Sequence, residues 1–144
     1  MPKGSEPRLL GMVFTHQLVI ANREHDPEQP HSSGTHVEFE VDKSATDPRI
    51  VTVEVTVSSD EESSENPPYE YDVRAFTMVG YPDSDEESPL EEADVKRAGV
   101  IGYRAAIGSI REHIASMTSR APWSVFFVGI TDINEDDLRK ADES

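Results

Sequence analysis

The chain has 144 residues, enough for one domain with a core of its own, and no cysteine, which removes disulfides, thiol nucleophiles and thiolate metal sites. Its 29 acidic and 13 basic residues give a formal charge of -16, which argues against nucleic acid, because phosphate binding needs a basic face. Few of the basic residues are lysines, so the acidity reads as a halophilic, salt-screened surface that keeps the protein in solution, and not as a functional motif.

The N-terminus MPKGSEPRLL has no apolar signal core, and no apolar run approaches a membrane span, so a cytoplasmic protein without membrane insertion is expected. Residues 1–11 read as a mobile tail, 12–138 as one domain and 139–144 as a polar tail. Residues 12–21, MVFTHQLVIA, are apolar and β-branched, which predicts a first strand. A proline- and histidine-containing loop follows over 22–35. His25, His31 and His36 lie there near Glu24, Asp26 and Glu28, but their spacing fits no metal-ligand pattern, so the loop reads as solvated and no metal is expected.

Residues 36–43 alternate Val37, Phe39 and Val41 against Glu38, Glu40 and Asp42, the mark of a strand wet on one face. After a turn at Asp47-Pro48, residues 50–58 form the clearest strand, with Val51, Val53, Val55 and Val57 on one face. The acidic run 60–68 predicts a flexible hairpin linker. Residues 69–81 resume alternation with Tyr69, Tyr71 and Val73 and then change phase at Phe76 and Met78, which predicts a bulge or a second apolar face.

A long helix is predicted over 88–120, with Ser88 as cap, Pro89 at the first helical position, Glu91 closing a capping box and Pro122 as stop. Tyr103, Ile107, Ile110, Ile114 and Met117 form its apolar stripe, and Arg97, Arg104 and Arg111 its solvated side. Gly102, Ala106 and Ser109 form a second line of small residues. Either the helix simply packs on its own sheet, or this line, with His113 beside it, meets a second subunit. The crossover 123–133 crowds Trp123, Val125, Phe126, Phe127 and Val128 together and needs cover on more than one side, and a last short helix is expected at 133–140. The sum is an α+β domain: a four-stranded antiparallel sheet covered by a long helix, with an extended crossover and a short C-terminal helix.

Nothing carries catalysis: there is no GxGxxG, GxxxxGK[ST], HExxH or GxSxG, so neither an enzyme nor a cofactor is expected. What remains is apolar surface. Phe76, Met78, Trp123, Val125, Phe126 and Phe127 either complete the core or form a protein-contact surface.

The run Ile110 to Arg120, with its Arg-Glu pair, aliphatic position and Ser-Met-x-Ser-Arg end, resembles the main helix of the SecB protein-export chaperones. Residues 50–81 are similar to that family's two central strands, and 123–134 sit where it has its crossover, so the resemblance covers residues 13 to 138. Departures are Ile107-Gly108-Ser109 in place of Phe-Pro-Tyr, and a first strand without the family's acidic residues, which leaves Asp72 alone at a matching acidic site. The resemblance implies an ATP-independent holdase that binds unfolded clients in apolar grooves lined by the six residues above, assembles as a homo-oligomer (dimer or tetramer), and contacts an export ATPase through Asp72. Alternatives are a dedicated chaperone of one partner such as an antitoxin, and a non-catalytic oligomeric scaffold. On the groove reading, Phe126→Ser with Met78→Ser leaves folding intact.

Overall fold

In the computed structural model, which describes residues 6–82 and 89–129, the four inward valines Val51, Val53, Val55 and Val57 are fully buried. They belong to β3 (Ile50–Glu65), which pairs antiparallel with β2 (Ser32–Lys43) on one side and β4 (Tyr69–Gly80) on the other. The first strand, β1 (Arg8–Ala21), adds to β4, so the order is β1-β4-β3-β2 and both β1 and β2 are edges. The helix α1 (Glu92–Thr118) covers one face. The expected α+β sheet-and-helix architecture is what forms; the expected C-terminal helix and tail lie outside the described residues.

Alternation is the physical cause of the layer. Tyr69, Tyr71, Val73, Ala75, Thr77 and Val79 of β4 join the valines of β3 beneath α1. The Thr77 hydroxyl is buried without penalty because it donates to the Val53 carbonyl at 3.2 Å. From the helix come Tyr103, Ile107, Ile110 and Ile114, as expected, but Met117 is 51% exposed and Thr118 is buried in its place. The predicted phase change in β4 does not occur. Odd residues stay inward through Val79, and the irregularities fall in β1, between Leu9 and Gly11 and between Phe14 and His16. Phe76 and Met78 therefore belong to the sheet face away from the helix.

Two segments expected to be irregular are strand. Residues 8–11 pair with the end of β4, so β1 begins inside the expected tail. Residues 59–65 extend β3 against Ser32–Thr35, which also shortens the expected first loop. Polar side chains replace the missing β-propensity there: Gly34 N donates to Ser64 Oγ at 2.9 Å, and Ser63 Oγ to Asp60 Oδ2 at 2.9 Å.

The helix start also differs. Ser88 lies outside the described residues, and the cap is Glu91, whose backbone N–H donates to Asp94 Oδ2 at 2.9 Å in a capping box one turn later than expected. Asp94 is buried, and its backbone carbonyl accepts from the Tyr81 hydroxyl at 2.6 Å. We expect Asp94→Ala to lower stability by about 1–2 kcal/mol, the usual worth of a cap, read as a fall in the urea midpoint.

Candidate functional site

The crossover after α1 is held by an unusually polar set of anchors. Thr118 Oγ1 donates to Ile114 O at 2.8 Å and accepts from Phe126 N at 2.8 Å, so the helix end and the crossover share one buried hydroxyl. The Tyr69 hydroxyl accepts from Trp123 N at 3.1 Å and donates to Ser124 O at 2.6 Å. Ser124 sits at φ 68°, a conformation that side chains rarely adopt, and these two bonds on either side of its backbone hold it there. Trp123 Nε1 donates to Asn22 O at 2.9 Å. Backbone is thus fixed at three points within a few residues.

Trp123 leads into the first loop. Its ring lies 5.0 Å from that of His25, which in turn meets His31 at 5.3 Å. His25 is buried, with Nδ1 2.8 Å from Asn66 O, and the Asn66 side chain bonds back to the backbone of Asp26. So the loop expected to be solvated is packed at His25 between hairpin and crossover. Among the described residues no group of three His, Asp or Glu could hold a metal ion.

The six residues expected to line one groove divide into three environments. Phe126 is half-buried in the core, its ring 6.0 Å from Tyr69 and 5.6 Å from Tyr71, and Trp123 is an anchor. Val125 and Phe127 point outward, 43% and 73% exposed. Phe76 and Met78 lie on the opposite face of the sheet and cannot share a groove with them. The Phe126→Ser and Met78→Ser pair is therefore no clean test, since the first change removes core packing. Partly buried on the helix side are Val37, Phe39 and Val41 of the open-edged strand β2, which join the same core cluster as Phe126. Periodicity did not reveal Thr118 and Tyr69 as anchors, because their role depends on contacts with a segment that has no regular period.

Of the small residues on α1, Gly102 and Ala106 are buried against the chain's own sheet, Ser109 is half-buried, and Gly108 has nothing within 4 Å of where a Cβ would stand. His113 packs against Phe14 of β1 with ring centroids 4.9 Å apart, and its Nε2 is buried with no hydrogen-bond partner among the described residues. Asp72 lies on the outer face and pairs with Arg74 at 3.1 Å, with His16 at 3.8 Å. Among the described residues no helix is long and apolar enough to cross a membrane.

With this geometry the chain is similar to the SecB-like chaperone Rv1957 of Mycobacterium tuberculosis, solved in complex with a ChAD peptide from the Rv1956 HigA1 antitoxin. The match has a TM-score of 0.64 at 19% identity and covers 88% of this chain and 91% of that one. The fold is SecB-like. No protein-family model and no curated protein matches the chain. The SecB-like fold accounts for the long helix over an antiparallel sheet and for the extended segment that follows it.

Two predictions arise from the anchors. Thr118→Val removes the acceptor for Phe126 N–H, and leaving such a group unpaired costs about 1–3 kcal/mol. The crossover is then expected to loosen, seen as a red shift of the emission of Trp123, the single tryptophan. The second concerns Tyr71, whose phenol is pushed above the usual tyrosine range by burial, against a hydrogen bond with Thr35 that lowers it. A raised value means stability that is fully present below the unfolded value of about 10 and lost as pH rises through the folded one. Urea midpoints at about pH 9 and about pH 11 are expected to fall in that order, and less so in Tyr71→Phe.

Proposed function

We propose that this chain is an ATP-independent holdase that binds unfolded polypeptide at the crossover. Val125 and Phe127 carry the reading: two large apolar side chains are exposed, Val125 between the hydrogen-bonded Ser124 and Phe126, and Phe127 between Phe126 and the buried Val128. A folded monomer gains nothing from holding Phe127 outward, whereas a client does. Anchoring lowers the ordering cost of binding, since the site is already formed. Among the described residues no strand pairs with the outer edge of β2, so an extended client can add main-chain hydrogen bonds there beside these apolar contacts. No catalytic step and no nucleotide enter this reading.

Assembly is part of the proposal. The outer edge of β1, 14 residues long, has no partner strand among the described residues, and His113 with Phe14 sits beside it. A long bare edge is a template for pairing. We infer that a second copy covers it, with Ser109 and His113 at the seam; Gly102 and Ala106 are spent inside the chain. Contact of Asp72 with an export ATPase rests on its family position alone, and its carboxylate already serves Arg74.

A second reading is a dedicated chaperone of one partner. The antitoxin peptide bound to the similar mycobacterial chaperone favours it. The deciding experiment is suppression of aggregation of an unrelated, slowly refolding protein at high salt without ATP. Suppression at near-stoichiometric ratio supports the general holdase. A well-folded oligomer that fails to suppress, yet captures an antitoxin-derived peptide, supports the dedicated one. Failure of both leaves a scaffold.

A further inference from the structure

From Arg23 to His31 the connection between β1 and β2 is exposed at every residue but one, His25, which is only 7% exposed. Its backbone N–H donates to Asn22 O at 3.2 Å, and its ring Nδ1 stands 2.8 Å from Asn66 O in the turn between β3 and β4. A carbonyl only accepts, so Nδ1 carries the proton and donates. Asn66 sits at φ 49°, and its side chain grips the next residue of the loop in both directions: Asp26 N donates to Asn66 Oδ1 at 2.9 Å, and Asn66 Nδ2 donates to Asp26 O at 2.8 Å. The imidazole is thus held by its own loop and by the facing turn.

Against this held ring lies Trp123, with centroids 5.0 Å apart and the planes crossed at 64°, the edge-to-face arrangement that aromatic pairs favour. The indole's hydrogen bond, Nε1 to Asn22 O at 2.9 Å, ends on the residue that opens the same loop. A connection that only reversed the chain would need no buried imidazole. We propose that His25 is a positioning residue of the client site: its ring seats Trp123, and the seated Trp123 fixes the start of the crossover from which Val125 and Phe127 stand exposed. This rests on the crossover being that site. The other ties of the crossover run to the end of α1 through Thr118 and to β4 through Tyr69, so Trp123 is where the connection between β1 and β2 joins it. Two contributions of His25 separate cleanly. The ring packs on the indole, and Nδ1 orients the ring. Without the ring the indole regains side-chain freedom, and that freedom has to be lost again when a client binds.

The test uses the full chain, the emission of Trp123, its single tryptophan, and suppression of aggregation of an unrelated refolding protein. His25→Asn keeps an amide donor for the Asn66 carbonyl and removes the ring. It is expected to red-shift the emission, to raise its quenching by acrylamide, and to need about threefold or more chain for half-maximal suppression, with the melting temperature within a few degrees of wild type. His25→Phe keeps the ring and loses the donor. It is expected to restore emission close to wild type and most of the suppression, a rescue that a merely structural role would not give. Should His25→Asn fail to fold, His25→Leu, which refills the space without ring or donor, carries the same expectations. Wild-type emission in the ringless variant overturns the seating of Trp123. Shifted emission with undiminished suppression overturns the role at the client site, and so does suppression lost only in step with a lowered melting temperature. A wild-type chain that suppresses nothing overturns the client site and this role together, and is told apart because the emission shifts of the variants do not depend on a client.

Discussion

Replacing Gly102 by leucine is expected to abolish the native fold. An added Cβ would lie 2.6 Å from Val53 Cγ2 and 2.7 Å from Thr77 Oγ1, distances that real side chains do not tolerate. Neither neighbour can yield. Val53 is a fully buried centre of β3, and the Thr77 hydroxyl is committed to the Val53 carbonyl. The helix would have to lift from the sheet along its length, exposing Tyr103, Ile107 and Ile110, and each such buried side chain is worth about 1.5–3 kcal/mol. Together the three come to roughly 4.5–9 kcal/mol, comparable with the lower half of the roughly 5–15 kcal/mol that a folded domain has in reserve. Gly102→Ala is the graded form. It gains about 1 kcal/mol of helix propensity and loses about 1–3 kcal/mol or more to overpacking, for a net loss. Gly108→Ala is the control, because that position is exposed with nothing within 4 Å of the new Cβ. It is expected to stabilise by about 0.5–1 kcal/mol. Thermal melts of the two alanine variants should move in opposite directions.

The second large effect is on binding. Val125→Ser with Phe127→Ser is expected to remove most of the aggregation suppression while the melting temperature stays within a few degrees. Phe127 is 73% and Val125 43% exposed and neither belongs to a core cluster, so their loss deletes little of the core. At a client interface each would be desolvated, and a central aromatic commonly carries about 2 kcal/mol or more of the binding energy. Phe126→Ser should behave in the opposite way, lowering stability first, since its ring fills the space over Tyr69 and Tyr71. A variant of Val125 and Phe127 that holds clients as well as the wild type would remove the crossover from the site. The three residues are consecutive in sequence, and the Thr118 and Tyr69 hydrogen bonds hold the backbone in the arrangement that turns Phe126 inward.

Local pattern was enough wherever one interaction repeats along an element. The valines of β3 at period two, the Tyr103 to Ile114 stripe of α1 and the arginines Arg97, Arg104 and Arg111 on its exposed side are legible in sequence because burial follows the geometry of the element itself. Composition likewise excluded thiol chemistry and argued against a nucleic-acid partner. Tertiary contacts decided the rest. The strand over residues 59–65 has poor propensity and exists because β2 supplies its partner. Phe76 and Met78 look like partners of Phe126 and Phe127 in sequence, but the sheet separates them, because parity along β4 is kept and the bulges sit in β1. Gly102 belongs in sequence to a line of small residues that could meet a second subunit and instead packs on Val53 and Thr77, since a missing Cβ reads the same on either side of a helix until the neighbour is known. Periodicity fixes which residues share a face; only the packing of the other elements fixes what that face meets.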